Sequence, residues 1–184
     1  MGYNLPTYDT TKLSFGMGIL KIAALNTAGN TTAIITDVGA VKEGATLTIT
    51  RTKLKAKQGN PQQIIKEFVT EESVVLNVAG MEWNLPNLAK ALGGGAVTGT
   101  TSLKLGGDMD MSSVAVLFQH RTPAGDTIHI RLWKANGSGE MSTTFGNDLH
   151  NFPYSFEAIV GASDWSGSAL ADKEKLMQIY IEQA

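Results

Sequence analysis

Three histidines, His120, His129 and His150, are the only imidazoles in the chain, and their spacing bounds the acid–base and metal chemistry on offer. Two ligands on one helical face need a separation of three or four residues, and no pair has it. His120 and His129 are spaced to face each other across a hairpin, but ordinary surface histidines are the plainer reading. Asp108 and Asp110 follow Gly106-Gly107 without the later glycine and distal glutamate of a calcium loop, so a polar turn accounts for them. Gly93, Gly94 and Gly95 come after a helical stretch instead of opening one, which makes a poor phosphate cradle and a good helix stop and hinge. No serine occupies a Gly-x-Ser-x-Gly elbow, and the absence of cysteine removes a thiol nucleophile, a thiolate metal site and a disulfide framework. Glu67, Glu71, Glu72 and Glu82 lie where solvation or ion pairing explains them. These residues describe a non-enzyme with no cofactor and no metal site.

The strongest charge feature is a row of cations. In ATLTITRTKLKAK (45–57), Leu47, Ile49, Arg51, Lys53, Lys55 and Lys57 share one parity, while Thr46, Thr48, Thr50, Thr52, Leu54 and Ala56 share the other. A strand sends alternate side chains to opposite faces, so the four cations fall on one side. The first half of this strand suits a core, whereas the second carries lysine where the core face would be and is expected to run beyond the domain body. A solvated edge that blocks aggregation and an assembly surface are both open readings of the row.

The surrounding elements follow from turn chemistry and periodicity. Residues 1–16 read as an irregular arm able to lie on a neighbouring subunit. Residues 18–25 and 32–36 flank a Thr27-Ala28-Gly29-Asn30 turn as a hairpin, broken by Asp37-Val38-Gly39. After the turn at Gln58, Gly59, Asn60 and Pro61, residues 63–69 and 73–79 give two β runs divided by Thr70-Glu71-Glu72, where the chain is expected to turn back. Residues 84–93 make the one good helix, with Asn84 as cap, Pro86 in the first turn and Gly93 as stop. Its stripe of Leu85, Leu88, Ala89 and Leu92 needs a sheet to cover. Residues 114–120 and 127–133 form a hairpin with one buried and one wetter face, and 141–145 and 152–160 extend the sheet. Residues 161–169 read as a loop, and 176–182 as a last strand or a short helix.

The fold class implied is mainly β, a sandwich or barrel with one flanking short α-helix and an extended hairpin or terminal arms. A length of 184 residues suits one domain over 1–184, with 1–16 an N-terminal arm and 161–184 a C-terminal loop and last strand. The 42% apolar and 17% charged residues are those of a chain that folds, and a net charge of −2 gives no electrostatic reason to expect a grip on nucleic acid. No basic start precedes a long apolar run, and no apolar segment approaches the ~18 residues of a membrane span, so synthesis in the cytoplasm is expected.

Two segments, QGNPQQIIKEFVTEESVVLNVAGMEWNLPNLAKALGGG (58–95) and GNDLHNFPYSFEAIV (146–160), carry a resemblance. With the order of elements from about Asp37 to Val160, they make the chain similar to the tail tube (major tail) proteins of long-tailed bacteriophages. The resemblance implies hexameric rings stacked into a hollow tube, with the strands of each ring joined in an inner barrel through which genomic DNA passes without sequence-specific binding. It places the protein in the virion tail after synthesis in the host bacterium. It names as partners further copies of the chain together with sheath, tape-measure and tail-terminator proteins. The hairpin over 45–78, with its tip near Gln58 to Pro61, would then belong to the inner barrel and the ring-to-ring contact. Candidate interface residues are Arg51, Lys53, Lys55, Lys57, Gln58, Gly59, Pro61, Glu67, Glu71 and Glu72. On this reading the lysines meet Glu67, Glu71 or Glu72 of an adjacent subunit. The tube of a contractile injection or type VI secretion system shares these expectations. A carbohydrate-binding sandwich is the alternative from another class, with Trp165 as the exposed platform and Trp83 and Trp133 as packing residues.

Overall fold

The computed structural model describes residues 17–25, 36–107, 109–138, 140–147 and 150–184. The expected arm over 1–16, the turn over 27–30, the run over 32–35 and Asp108 lie outside these. Among the described residues the protein is mainly β with one short helix, in the order β1 (Ile19–Ala24), β2 (Thr36–Asp37), β3 (Val41–Gln58), β4 (Gln63–Gly80), α1 (Leu85–Ala91), β5 (Ala96–Thr98), β6 (Ser102–Lys104), β7 (Ser113–Arg121), β8 (Thr127–Gly137), β9 (Phe152–Ala158) and β10 (Met177–Glu182).

One antiparallel sheet runs β2-β1-β7-β8-β9-β4-β3, with β10 attached to β8, and β5-β6 form a separate small hairpin. The two ends of this sheet are joined by chain. Only Val38, Gly39 and Ala40 separate β2 from β3, and four Cα steps span at most about 14 Å. The sheet must therefore curl until its ends meet. The connection itself bridges them: Val38 N–H donates to Leu20 O of β1 at 2.9 Å, and Ala40 O accepts from Met81 N–H, just past β4, at 2.9 Å. Glu82 secures the corner by accepting the Ala40 N–H at 3.0 Å. Buried residues of β1 (Leu20, Ile22), β7 (Val116, Phe118), β9 (Tyr154, Phe156) and β4 (Leu76, Val78) share one core, as the curl requires. Burial, and then the charge of Glu82, pushes the Tyr154 phenol in that core up to about 12.

The helix follows its sequence signals. Asn84 Oδ1 accepts the Asn87 N–H at 3.1 Å, Pro86 sits in the first turn, and Gly93 closes the helix at φ 77°. Leu88 and Ala91 are buried in the core, with Leu85 and Leu92 packed against it.

Several expectations are corrected. Thr70-Glu71-Glu72 is no turn: β4 is continuous over 18 residues, because Thr52 and Arg51 of β3 pair with Glu71 and Glu72 and an irregularity beside them absorbs Thr70. Residues 141–145 form no strand; Met141 packs on the core and Phe145 stacks on Trp83. The hairpin β7–β8 forms, but the second face of β8 is covered by residues of the 161–184 segment, so His129 is buried instead of wet, while Trp133 is buried as a packing residue should be. The stretch 176–182 is a strand, paired with β8 from Met177↔Leu132 to Glu182↔Thr127. The β5–β6 hairpin went unpredicted, its turn marked only by Gly99 at φ 59°.

The helix approaches β8 so closely that a Cβ on Gly137 would lie 1.8 Å from Ala91 O, whereas one on Gly146 would meet nothing within 4 Å. Gly137→Ala is expected to cost roughly 2–4 kcal/mol by displacing the helix, and Gly146→Ala about 0.5 kcal/mol or less. Urea midpoints of the two variants check this; equal midpoints would contradict it.

Candidate functional site

The β3–β4 hairpin leaves the barrel. β9 pairs with β4 only from Val75 to Gly80, so, among the described residues, 63–74 have no strand neighbour on that edge and β3 has none but β4. Every residue from Thr50 to Glu72 except Ala56 is exposed. This is a two-stranded ribbon projecting past the core.

Its faces are set by register. Arg51↔Glu72, Lys53↔Val69, Lys55↔Glu67 and Lys57↔Ile64 lie on one face; Thr52↔Glu71, Leu54↔Phe68 and Ala56↔Lys66 lie on the other. The expected cation row is therefore present, because the irregularities add residues to β4 and leave the parity of β3 intact. The tip turns through Gln58, Gly59 at φ 96°, Asn60 and Pro61.

Where the row finds its partners differs from expectation. Arg51 meets Glu72 at 2.7 Å, Lys53 meets Glu67 at 3.2 Å and Lys55 reaches the same carboxylate at 3.9 Å, all within one hairpin. The carboxylates assigned to an adjacent subunit thus lie directly across the ladder, the nearest place an opposite charge can sit. Such solvated pairs contribute about 0–1 kcal/mol each. Among the described residues Lys57, Lys66 and Glu71 meet no opposite charge, and Lys66 instead lies 4.8 Å over the Phe68 ring.

Apolar exposure is the larger feature, and sequence reasoning centred on the lysines missed it. Leu54 and Phe68 form a cross-strand pair 61% and 47% exposed, and Ile64, Ile65 and Val69 are exposed beside them. The signal was available, since the stretch Ile64-Ile65-Lys66-Glu67-Phe68-Val69 is too apolar for a solvated loop.

The other chemical candidates resolve into packing. His120 and His129 do not face each other: Gln119 opposes His129 and Ile128 opposes His120, which sends the rings to opposite faces. Neither is a surface histidine. His120 Nδ1 lies 3.2 Å from Met17 O, while His129 sits between Gln119 and Glu182, its Nε2 2.9 Å from the carboxylate and its ring stacked on Tyr180. His150 packs edge-on against Phe145. Among the described residues no three His, Asp or Glu side chains gather as a metal site. Trp165 is no free platform, since its indole N–H donates to Trp133 O at 3.1 Å; Trp133 in turn donates to Glu174 O at 2.8 Å. Trp83 is half exposed but stacks with Phe145 and meets Phe152 edge-on.

At the foot of the ribbon, Ile49, Val74, Val160, Leu176 and Met177 line a groove of about 420 Å³ together with Arg51, Glu72, Asp172, Lys173 and Lys175. In the C-terminal segment Asp164 Oδ1 accepts the Ser166 O–H at 2.7 Å, the Ser168 N–H at 2.8 Å and the Ser166 N–H at 2.9 Å. These donors hold its carboxyl below the usual 3.8.

An Arg51→Ala, Glu72→Ala double-mutant cycle in urea is expected to give a coupling of about 1 kcal/mol or less; several times that would contradict a solvated pair. The depressed Asp164 carboxyl stabilises its loop fully above 3.8 and loses that contribution as pH falls through its lower folded value. Fluorescence of the adjacent Trp165 should report an acid transition below 3.8, already present at neutral pH in Asp164→Asn; no difference between the two proteins would refute it. The chain matches no protein-family model and no curated protein sequence.

Proposed function

We propose that this protein is a structural subunit that assembles with copies of itself into stacked rings forming a hollow tube, of the kind found as the tail tube of long-tailed phages. The observation that carries the reading is the ribbon over 50–72, whose two outer backbone edges pair with nothing among the described residues and which exposes apolar side chains on both faces. An isolated two-stranded hairpin is marginal in water, and exposed strand edges invite pairing with another chain. A chain that keeps such an element gains from having it covered, and further copies supply the cover at every subunit alike.

Self-assembly through different surfaces on donor and acceptor is heterologous, so it yields rings or open filaments, not closed pairs. The specific assignment to a phage tail rests on the resemblance of residues 58–95 and 146–160 and on the barrel with its single plugging helix. In such a tube the DNA slides past the subunits. Pairing of Arg51, Lys53 and Lys55 with carboxylates of their own hairpin is compatible with a conduit that does not hold phosphates.

Concentrated wild-type protein should give rings or long hollow filaments in negative-stain micrographs. The double variant Leu54→Asp, Phe68→Asp should stay monomeric by light scattering while its urea midpoint changes little, because both side chains are solvated in the subunit. Filaments from the double variant, or wild-type protein that stays monomeric at every concentration, would overturn the reading.

A further inference from the structure

The curled sheet has its two ends joined by the connection from β2 to β3, and it forks at β8. β8 gives its first half to β10 and its last three residues to β9, so β10 and the ribbon diverge on either side of β9. Among the described residues β10 pairs with β8 alone, which leaves its outer backbone edge unpaired. Its face continues the core outward as an apolar strip: Met177 opposite Leu132, Ile179 opposite Ile130, Ile181 opposite Ile128. Met177 packs against the core, but Ile179 and Ile181 are 52% and 60% exposed, so among the described residues the outer part of the strip is uncovered.

Charge separates the two uncovered elements. Residues 51–72 hold five cations (Arg51, Lys53, Lys55, Lys57 and Lys66) against three carboxylates, whereas 161–184 hold two lysines against Asp164, Asp172, Glu174 and Glu182. The ribbon is therefore net +2 and the C-terminal segment net −2.

Resting on the assembly reading above, we propose that the acceptor for the ribbon is β10 of a second copy, with the free edge of β3 lying along the free edge of β10. Backbone pairing satisfies both edges, Leu54 and its neighbours meet Ile179 and Ile181, and the unpaired Lys57 and Lys66 approach a carboxylate-rich segment. Donor and acceptor lie on different parts of one chain, so the contact propagates from copy to copy.

The chain lacks cysteine, so single thiols report contacts cleanly. Leu54→Cys protein is mixed with Ile181→Cys protein and, separately, with Met109→Cys protein, whose thiol stands on another exposed loop, and a short flexible bismaleimide is added. A docked pair sits at roughly millimolar effective concentration, so the 54–181 heterodimer should exceed the 54–109 heterodimer about tenfold. All three positions are exposed in the subunit, and a second acceptor, Ile179→Cys, should behave as Ile181→Cys does. If filaments form but 54–181 crosslinks no better than 54–109, the β10 assignment is wrong and the assembly reading stands. If light scattering finds no association of the wild-type protein at any concentration, both fall.

Discussion

A two-stranded β-ribbon cannot satisfy its own physical requirements. Each strand of the β3–β4 extension has one edge of backbone N–H and C=O groups facing outward, and among the described residues no layer covers Leu54, Ile64, Phe68 or Val69 on either face. Cross-strand ion pairs at Arg51–Glu72 and Lys53–Glu67 fix the register and discourage slippage, but their solvated strength cannot replace a core. On the proposed reading the covering of these residues is what the protein is built for, and the rest of the molecule anchors one end of the ribbon.

That anchoring is built from a rolled sheet. Three residues join its two ends, Glu82 holds the corner, and α1 covers the core against Gly137. β8 forks between β9 and β10, so the ribbon and the C-terminal strand leave the body as two separate free edges. The same rolled geometry that buries Leu76, Tyr154 and Phe156 leaves Ile179 and Ile181 outside, because no opposing strand reaches that far.

Local signals were legible where one residue type decides one conformation. The alternation of 45–57 set the faces of β3, Asn84 and Gly93 bounded the helix, and Phe152, Tyr154, Phe156 and Ala158 all turned inward as their spacing required. What remained hidden depended on distant partners. The polar triplet Thr70-Glu71-Glu72 resembles a turn until Arg51 and Thr52 are placed opposite it. His129 looks solvated until Tyr180 and Glu182, the latter 53 residues later, fold over it. The cations of the ribbon were visible in the sequence, but their partners were sought in another subunit when the ladder already supplied them.

In the proposed assembly, neighbouring copies complete the ribbon. Amide hydrogen exchange resolved to residues 50–72, compared between dilute monomer and assembled protein, distinguishes a covered ribbon from a bare one. Exchange should be fast along the outer edges of β3 and β4 in the monomer and strongly slowed after assembly, with the amides of β7 and β9 protected in both. Equal protection of 50–72 in the two states would contradict it.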